Sequence, residues 1–376
     1  MTGRPQVAVI GAGPAGLATT IALRRAGLEA VAYERVEALR RHGNGLTLWP
    51  NGFAALDAFG AGYAVRGRAH PAAGMAMRAA DGRTLYEVSE QAMKSVGGNG
   101  MAVHRTELLA ALRGLLDPEA VRFGARCVGV RDAGEHAVAE FADGSEVRAD
   151  LVVGADGIRS VVRESAGLGR RLRHCGVVVW RATIPFGLPE TPGLLSMGGA
   201  DAFGIWKLAE DRVYWFASAP FADARQGGAD WLLRRFGDWH EPIPELLRAT
   251  DPAQVVATEI FDCRPLRAWS RGRVALVGDA AHPSMPNMGQ GTSQAFEDAA
   301  VLAARLAATP SVPEALRAYE RQRRGRANAA TSQARMLARI GGWPGPVAGR
   351  LREWMLSHAP QRAQLRQLRQ MFEFRI

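Results

Sequence analysis

Two segments, one near each end of the chain, combine residue types that can hold a polar molecule with negative charge. The first is Gly11-Ala-Gly-Pro-Ala-Gly16, and the second runs from the apolar residues 274–277 through Asp279 to Gly289-Gln-Gly291. In both, a buried strand is predicted to end beside a helix N-terminus, where free backbone N–H groups and the helix dipole attract anions. We therefore predict one cofactor that is held from two sides.

The first segment has the sequence context of a dinucleotide-binding turn. A strand is predicted over residues 6–10, a helix over 17–26 and a second strand over 29–33, which leads into Glu34. A G-x-G-x-x-G pattern between a strand and a helix, with an acid about 20 residues further on, is typical of Rossmann-type nucleotide sites.

Each glycine of this turn has a separate predicted role. Gly11 would form the tight turn, Gly13 would let the backbone approach a pyrophosphate, and Gly16 would let the helix pack closely on the strand. Glu34 would accept hydrogen bonds from a ribose hydroxyl. A glycine-rich loop without a ligand is the plainer alternative, but the flanking strand and helix favour the nucleotide site.

The composition is that of a globular protein with a substantial core. The chain has 376 residues, 47% of them hydrophobic, and no apolar run reaches the roughly 18 residues that a membrane span needs. Because the first residues lack a signal-peptide pattern, we expect a soluble, cytoplasmic protein. Cys127, Cys175 and Cys263 are widely spaced and fit neither a disulfide framework nor a zinc site, so we expect reduced thiols and no metal.

The net charge of +10 comes mainly from arginine and is scattered along the chain. One cluster on a predicted helix contains Arg317, Arg321, Arg323, Arg324 and Arg326. Nucleic-acid binding would require interleaved aromatic residues or a recognisable module, and within this segment Tyr319 is the one aromatic residue. We therefore predict a solvated helix face and no nucleic-acid partner.

Beyond residue 70 the pattern changes to shorter strands separated by glycine and proline. Strands are predicted over 176–184, 203–208 and 212–218. Long helices are predicted over 293–307, 313–340 and 350–374, the last of them broken by Pro360. The sequence predicts an α/β fold in which a mostly antiparallel sheet is inserted into a Rossmann-type domain and helices form the C-terminal part.

Three motifs together resemble the FAD-dependent aromatic hydroxylases, the single-component flavoprotein monooxygenases that include salicylate hydroxylase-like, urate hydroxylase-like and zeaxanthin epoxidase-like enzymes. The motifs are residues 11–16 with Glu34, Gly154-Ala-Asp-Gly-Ile-Arg-Ser160 with Arg163, and Gly278-Asp279 through Gly291. Weaker matches are residues 41–45 running into Leu48-Trp-Pro-Asn51, and Val103-His-Arg105 at the start of a helix.

The resemblance covers most of the chain and gives the predicted domains their roles. It implies a Rossmann-type FAD-binding domain with an inserted substrate-binding sheet and C-terminal helices. We predict the FAD-binding domain at 1–70, 101–172 and 265–330, the substrate-binding domain at 71–100 and 173–264, and the C-terminal helices at 331–376.

The resemblance also implies a set of cofactor contacts. Asp279 would hydrogen-bond a ribityl or ribose hydroxyl, Arg105 would reach the phosphates, and Asp156 would be shared between FAD and the nicotinamide cofactor. Ser293 stands where the family often has an asparagine, so an amide contact to the flavin is not expected. The predicted cofactor-binding residues are Gly11, Gly13, Pro14, Ala15, Gly16, Glu34, Arg35, Arg41, Thr47, Arg105, Asp156, Gly157, Asp279, Pro286, Gly289, Gln290, Gly291, Thr292 and Ser293.

The activity that the resemblance implies is monooxygenation. NADPH or NADH would reduce FAD, the reduced flavin would add O₂ at its C4a position, and one oxygen atom would pass to the substrate. We expect a monomer or homodimer that hydroxylates a hydrophobic, aromatic small molecule. No second G-x-G-x-x-G follows a strand, which fits a family that lacks a separate NAD(P)H domain.

The inserted sheet is expected to cover the flavin and to hold the substrate in an apolar pocket with few polar anchors. The predicted lining residues are Trp180, Arg181, Met197, Trp206, Tyr214, Phe216 and Met288. Arg181, Tyr214 and Pro286 are also candidates for a catalytic role. Arg181 would anchor a substrate anion or pair with a core carboxylate. His282 matches the family's GDAAH motif and is expected to be structural.

Two alternatives differ in chemistry. A flavin-dependent halogenase would carry Trp-x-Trp-x-Ile-Pro and a reactive lysine, but Ala182 replaces the second tryptophan in Trp180-Arg-Ala-Thr-Ile-Pro185. Lys94 and Lys207, the two lysines of the chain, also lie outside that family's context. The second alternative is an FAD-binding tailoring protein without oxygenase activity, because a fold by itself does not determine the chemistry.

Overall fold

The computed structural model of the protein describes residues 6–39, 43–224, 227–343 and 345–376. The strands, in chain order, are β1 (Gln6–Ile10), β2 (Glu29–Tyr33), β3 (Gly45–Leu48), β4 (His70–Pro71), β5 (Met75–Ala79), β6 (Thr84–Val88), β7 (Met101–His104), β8 (Val121–Arg122), β9 (Cys127–Asp132), β10 (Ala137–Phe141), β11 (Glu146–Ala149), β12 (Leu151–Gly154), β13 (Leu172–Pro185), β14 (Gly193–Gly198), β15 (Asp201–Leu208), β16 (Arg212–Pro220), β17 (Val256–Cys263), β18 (Ser270–Arg271) and β19 (Val274–Leu276).

The α-helices are α1 (Pro14–Arg25), α2 (Pro50–Ala58), α3 (Gly62–Arg66), α4 (Glu90–Lys94), α5 (Arg105–Arg113), α6 (Val161–Ser165), α7 (Phe221–Ala224), α8 (Ala229–Phe236), α9 (Ile243–Ala249), α10 (Gly291–Ala308), α11 (Val312–Gly341), α12 (Pro346–Ser357) and α13 (Gln361–Phe372). Short 3₁₀ helices lie at Pro118–Ala120, Pro252–Gln254, Gly278–Ala280 and Pro286–Met288. None of the described helices combines the length and apolar composition that crossing a bilayer requires.

The first sheet brings the two ends of the chain together. Its strand order is β18-β19-β12-β1-β2-β8, and all its pairs are parallel except β18 with β19. The strands β1, β12 and β19 are almost entirely buried, as expected for a parallel sheet that is covered by helices. Because these three strands run parallel, the turns that follow them meet at one edge of the sheet.

The second sheet is almost entirely antiparallel, with the order β17-β13-β16-β15-β14-β5-β6. Its one parallel pair is β14 with β5. One face packs on α8 and α9 and forms a separate hydrophobic core. The other face contacts β7, where Leu208 and Tyr214 enclose Ala102. The predicted α/β fold with a mostly antiparallel second sheet is confirmed, while the limits of the two domains stay a prediction.

Two predicted helix boundaries differ from the structure. Helix α1 begins at Pro14 and not at residue 17, because proline lacks an N–H donor and fits the first turn, where helical N–H groups have no partner. Helix α12 begins at Pro346 and not at residue 350, while the predicted break at Pro360 is present, because residues 358–360 separate α12 from α13.

Candidate cofactor and substrate site

The turn after β1 is closed by backbone contacts that leave no room for a side chain. Gly11 has a φ of +104°, and its N–H donates to the carbonyl oxygen of Tyr33 at 2.8 Å. A Cβ at Gly16 would lie 1.8 Å from the carbonyl oxygen of Gly11. The structure therefore has the tight turn and the close helix packing that the sequence predicts at these glycines.

The N-terminus of α1 faces an open space. Helix α1 starts after Gly13 with Pro14 in its first turn, and no side chain among the described residues caps it. A Cβ at Gly13 would meet no described atom within 4 Å. The free N–H groups near Ala15 and the positive end of the helix dipole can therefore receive a phosphate group in that space.

The carboxylate of Glu34 is held beside the same turn. Its Oε2 accepts a hydrogen bond from the N–H of Ala12 at 2.8 Å, and its Oε1 accepts one from the N–H of Val36 at 3.2 Å. Each carboxylate oxygen retains a lone pair that can accept from a ribose hydroxyl. The neighbouring Arg35 is exposed.

Asp156 follows β12, and one of its two carboxylate oxygens accepts hydrogen bonds from the protein. Its Oδ2 accepts from the N–H groups of Val161 and Val162 at 2.7 and 3.2 Å and so caps α6. Its Oδ1 is buried and has no hydrogen-bond partner among the described residues. Burial raises the pKa of Asp156, although Ser160 and these N–H groups oppose the rise. A buried acceptor without a donor indicates a ligand hydroxyl at this position.

Asp279 lies where β19 ends and opens onto the same edge of the sheet. Its side chain is exposed to the cleft yet surrounded by protein, and burial raises its pKa against the opposing charges of His282, Arg105 and Arg163. Arg105, the first residue of α5, is thus close enough to Asp279 to act on it. The position fits the predicted contact of Asp279 with a cofactor hydroxyl.

Arg163 joins the second motif to the third. Its fully buried guanidinium donates to the carbonyl oxygen of Ile158 at 2.6 Å and to that of Ala280 at 3.0 Å. A charged donor shared by two loops fixes the distance between them. Arg163 therefore sets the spacing between Asp156 and Asp279.

The segment 286–291 leads into the N-terminus of α10. We call it the flavin loop because the resemblance predicts that it lies beside the flavin. Gly289 has a φ of +61°, and a Cβ there would lie 3.7 Å from the Cβ of Thr47. A Cβ at Gly291 would lie 4.0 Å from Asp279 Oδ1. The flavin loop therefore runs between β3 and Asp279, with Pro286 exposed.

Ser293 anchors this region through its side chain. Its Oγ accepts a hydrogen bond from the N–H of Trp49 at 3.2 Å, and Ser293 is fully buried. A Cβ at Gly52 would lie 2.6 Å from this Oγ, so α2 packs directly on α10. Serine at this position thus joins two helices, while Thr292 before it stays partly exposed.

Beneath the flavin loop lies a buried ionic cluster centred on Arg323 of α11. Its Nη1 donates to Glu297, its Nε donates to Asp298 at 2.9 Å, and its Nη2 donates to Gln294 Oε1 at 2.7 Å. Asn51 donates to Glu297 at 2.7 Å from α2. All five side chains are buried, so their charges and polar groups must be paired within the cluster.

Gln290 connects this cluster to the flavin loop. Its Oε1 accepts from Asn51 Nδ2 at 3.0 Å and from Gln294 Nε2 at 3.3 Å. The loop before α10 is thereby fixed from below. Sequence analysis did not predict this cluster, because the partners of the polar residues in α10 lie far away along the chain.

His282 belongs to the same cluster. Its Nε2 lies 2.5 Å from Asp298 Oδ2, which also accepts from the N–H of Gly278 at 2.9 Å. Burial by itself raises the pKa of Asp298, but His282 and Arg323 outweigh it and hold the pKa below its ordinary value. His282 is buried and paired, in agreement with the structural role that we expected.

The arginine-rich helix is not the solvated face that the sequence predicts. Arg323 is fully buried, Arg326 donates to Glu297 at 2.7 Å, and Arg324 pairs with Glu320 at 2.6 Å. Arg317 and Arg321 are exposed. The charge pattern along one helix could not reveal that its neighbours supply buried carboxylates.

Strand alternation divides the predicted substrate residues between the two faces of the second sheet. Trp180 faces α8, where it stacks on Trp231 and donates to the carbonyl oxygen of Gly227 at 2.9 Å. The prediction of Trp180 as a pocket residue is therefore corrected: it belongs to the core behind the sheet. Adjacent residues in a strand point to opposite faces, so Arg181 lies on the front face.

The front face carries the other predicted residues of the sheet. A Cβ at Gly45 of β3 would lie 2.3 Å from the ring of Tyr214, so this ring packs against β3. Burial raises the pKa of Tyr214, and the Arg181 guanidinium acts in the opposite direction. Tyr214 and Phe216 are neighbours at a centroid distance of 6.2 Å.

Glycines make room for the larger rings of this face. A Cβ at Gly204 would lie 2.1 Å from the ring of Phe216, and one at Gly193 would lie 2.2 Å from the ring of Trp206. Met197 lies four residues after Gly193 in β14 and therefore on the same face. Arg181, Met197, Trp206, Tyr214 and Phe216 therefore share the front face.

Trp49 is a site residue that sequence analysis assigned no role. Its Nε1 donates to the carbonyl oxygen of Met288 at 3.0 Å, and its ring meets Trp206 edge-on at 6.0 Å. It also stacks on Phe372 of α13 at 5.5 Å. Trp49 thus joins the flavin loop, the second sheet and the C-terminal helix, and its place in the motif 48–51 was its one sequence signal.

The remaining predictions concern an arginine, the two lysines, the three cysteines and a metal site. Arg41 lies outside the described residues. Lys94 pairs with Glu90 at 2.7 Å and Lys207 pairs with Glu190 at 2.8 Å. Cys127, Cys175 and Cys263 are free thiols. Within the described ranges, no group of three or more His, Cys, Asp or Glu residues could hold a metal ion.

The arrangement fits a dinucleotide with a flavin ring. The open N-terminus of α1 suits the pyrophosphate, Glu34 suits one ribose, and the unused oxygen of Asp156 together with Asp279 suits further hydroxyls. A Cβ at Gly157 would also meet no described atom within 4 Å, so the backbone there is open to a ligand.

Comparisons with known proteins agree with this fit. A family model described as FAD binding domain matches residues 4–184 and 244–334. Aurachin C monooxygenase/isomerase from Stigmatella aurantiaca is 35% identical over 359 residues, which cover 93% of this chain and 93% of that protein. The 2-heptyl-3-hydroxy-4(1H)-quinolone synthase of Pseudomonas aeruginosa is 31% identical over 376 residues, with 97% of both chains covered.

The solved structures include a near match over the whole chain. The structure of Klebsiella pneumoniae HpxO complexed with FAD and uric acid aligns with a TM-score of 0.92 at 27% identity. The alignment covers 99% of this chain and 97% of that chain.

We expect Gly16→Ala to lose both stability and FAD, because the added methyl group would overlap the carbonyl oxygen of Gly11. Overpacking of this kind costs roughly 1–3 kcal/mol or more. Gly13→Ala is the matched control: its methyl group meets open space in the protein, so the apo form should keep its Tm while FAD affinity falls. Thermal unfolding and visible flavin absorbance measure the two effects. Unchanged FAD affinity in Gly13→Ala would contradict a pyrophosphate at this turn.

We expect Arg323→Leu to destabilise the protein by about 3–5 kcal/mol, because it removes the cation that Glu297 and Asp298 share and leaves them, among the described residues, only Arg326 and His282. Arg321→Leu, an exposed position on the same helix, should change stability by less than about 0.5 kcal/mol. Urea unfolding of both variants measures the difference. Equal stabilities would show that the cluster does not support the fold.

Proposed function

The chain belongs to the FAD-binding family of flavoprotein monooxygenases, and from that membership we propose that it hydroxylates a small, apolar, aromatic molecule. The protein is an FAD-dependent monooxygenase, and NAD(P)H is the electron donor typical of this family. We place the substrate between the flavin loop and the front face of the second sheet.

The observation that carries this proposal is the composition of the front face. Trp206 and Phe216 are partly exposed and offer aromatic surface, Met197 extends it, and the buried ring of Tyr214 lies beside Phe216 on the same face. Aromatic rings favour planar partners in offset or edge-on contact. A flat ring system with little charge therefore matches the surface that faces the flavin loop.

Two polar groups on this face would orient the ring. Arg181 lies beside Tyr214, and the Oγ1 of Thr183 is buried without a hydrogen-bond partner among the described residues. Both belong to β13, two residues apart, so they point to the same face. A carbonyl, hydroxyl or oxyanion on the substrate ring would satisfy them, and charged donors such as Arg181 form the stronger bond.

The names of the related proteins support this chemistry. The Klebsiella structure contains uric acid, and the Pseudomonas relative is named for a hydroxylated quinolone. Both molecules are flat ring systems with oxygen substituents. We propose the same general class for this chain.

Bound FAD would supply the redox chemistry with NAD(P)H and O₂. The residues of the protein would bind the cofactor and the substrate and orient them toward each other. The backbone N–H groups of 289–293 and the positive end of the α10 dipole favour negative charge beside them. The second sheet would exclude water from the substrate, which strengthens the electrostatic contacts inside. Pro286 and Met288 on the flavin loop would contact the substrate from the other side.

We place the two domains as the sequence indicates, with FAD bound by 1–70, 101–172 and 265–330 and substrate by 71–100 and 173–264. Support comes from the strands of the second sheet, which all derive from β5, β6 and β13–β17. Hydroxylation is favoured over halogenation, because Lys94 and Lys207 are paired with glutamates. An FAD-binding role without oxygenase activity is set aside, because the chain belongs to the monooxygenase family.

The proposal is tested by substrate-dependent NAD(P)H oxidation with the FAD-loaded enzyme. Candidate bicyclic and monocyclic hydroxy-aromatic compounds should accelerate NADH or NADPH oxidation, and ¹⁸O₂ should label the product. Acceleration without an oxygenated product from any candidate would contradict hydroxylation. A halogenated product in the presence of chloride or bromide would support the first alternative instead.

We expect Arg181→Gln to raise the KM for substrate about ten- to hundredfold with unchanged FAD content, since a charged hydrogen bond contributes roughly 1.5–3 kcal/mol. Trp180→Phe is the matched control at the next residue of the strand. It should lower Tm, because it disturbs the core behind the sheet, and leave KM near the wild-type value. Steady-state kinetics and thermal unfolding distinguish the two, and an equal rise of KM in both variants would refute the assignment of the faces.

A further inference from the structure

Large apolar side chains are exposed in one cluster near the C-terminus. Among the described residues ten large hydrophobic side chains are exposed, and six of them lie between residues 336 and 355. We call this cluster the docking surface; it consists of Met336, Leu337, Val347, Leu351, Trp354 and Met355. Exposed apolar side chains that are concentrated in one part of a chain, and not scattered singly, are typical of an interaction site.

Helical spacing places four of these residues on one side of α12. Val347, Leu351, Trp354 and Met355 follow one another at intervals of four, three and one residues, which is the spacing of a single helix face. Trp354 is 58% exposed. Apolar side chains gathered on one exposed helix face are typical of an interaction surface.

Polar contacts hold α12 in place with this face outward. Arg352, at the edge of this face, is buried and donates to the carbonyl oxygen of Gly341 at 2.6 Å. Glu353 pairs with Arg83 of the second sheet's β5–β6 turn at 2.6 Å. The docking surface is therefore a fixed feature, joined to the end of α11, which carries Met336 and Leu337.

The residues around the docking surface are strongly basic. From residue 335 to the C-terminus the acidic residues are Glu353 and Glu373, and both are paired with arginines. Six arginines in the same stretch are exposed: Arg339 and Arg350 lie on the two helices that carry the docking surface, and Arg362, Arg366, Arg369 and Arg375 follow them in the chain. The surface thus combines an apolar centre with unneutralised positive charge.

We propose that this docking surface binds the interface of an anionic lipid bilayer. Apolar side chains would enter the boundary between headgroups and acyl chains, while the arginines contact the acidic headgroups. Tryptophan at the edge of such a surface favours the membrane interface. A second copy of this chain fits less well, because a two-fold contact would bring the same arginines of both copies together.

Membrane contact at the docking surface would bring apolar substrates close to the substrate site; this inference rests on the proposed function. A Cβ at Gly341 would lie 3.6 Å from Met197 Cε, so the end of α11 touches the front face of the second sheet. Asn287 of the flavin loop donates to the carbonyl oxygen of Ala334 in α11 at 2.9 Å. An apolar substrate dissolved in the bilayer would therefore be presented beside the substrate site.

Vesicle sedimentation of the FAD-loaded protein tests the proposal. Vesicles of equal parts phosphatidylglycerol and phosphatidylcholine should bind the protein, and vesicles of phosphatidylcholine alone should bind it far less. Added salt should release it, because surface charges are screened over about 8 Å at physiological ionic strength. The double variant Leu351→Ser, Trp354→Ala should bind anionic vesicles about tenfold or more weakly, since two apolar side chains no longer enter the interface.

Matched variants distinguish electrostatic attraction from insertion of apolar side chains, and one of them controls for nonspecific binding to vesicles. Arg339→Gln with Arg350→Gln should weaken binding about tenfold or more at low salt and little at high salt, since each arginine near the surface contributes electrostatically. Tyr63→Ala removes an aromatic side chain that is 91% exposed on α3, and it should bind as the wild type does. Circular dichroism confirms that each variant is folded.

The results of the vesicle experiment can be distinguished from the results of the test of substrate-dependent NAD(P)H oxidation. Absence of wild-type binding to anionic vesicles, or equal weakening in Tyr63→Ala, would overturn the proposal whatever substrate the enzyme accepts. If ultracentrifugation shows a dimer that Trp354→Ala dissociates, and anionic vesicles bind no protein, the docking surface is an interface between copies. Turnover of a water-soluble substrate should be unchanged in all these variants, because none of the altered residues lies in the substrate or cofactor site.

Discussion

The buried pairing of Arg323 with Glu297 and Asp298 is the constraint on which the functional site depends. A guanidinium and two carboxylates without access to water are tolerated only when each hydrogen-bonding position has a partner. The partners come from separate parts of the chain: Asn51 from α2 and His282 from the segment after β19. The requirement to pair buried charge therefore fixes α2, α10 and α11 against one another directly below the flavin loop.

Above this cluster the cofactor site is built chiefly from backbone and from carboxylates. Helix α1 and helix α10 both start at the edge of the parallel sheet, so their N–H groups converge on one cleft. Glycine is required at positions 11 and 16 because backbone atoms already occupy the space of a side chain. Oδ1 of Asp156 has no hydrogen-bond partner among the described residues, and a donor from the ligand would complete its hydrogen bonding. Arg163 then holds this loop at a set distance from Asp279.

The second sheet separates stability from recognition by its two faces. Its back face is a closed aromatic core with α8 and α9, where Trp180 and Trp215 are fully buried. Its front face brings Arg181 and Tyr214 toward β3 and the flavin loop, and Trp49 connects that loop to Trp206 and to α13. Helices α11 and α12 carry an exposed apolar surface with exposed arginines, so substrate delivery and substrate binding would lie on adjacent parts of the molecule.

The sequence by itself determined the fold class, the cofactor family and the local geometry of the glycine turns, because these depend on residue types close together along the chain. The sequence also predicted most helix boundaries to within about two residues. The exceptions are the starts of α12 and of α1, where Pro14 suits the first turn. Tertiary structure alone decided the role of the arginine-rich helix, because the carboxylates that bury Arg323 lie on another helix and charge patterning predicted solvent there. It also decided that Trp180 is core and Arg181 is not. Alternation along β13 puts the two residues on opposite faces, but which face meets the flavin loop depends on how the whole sheet packs against β3 and β7.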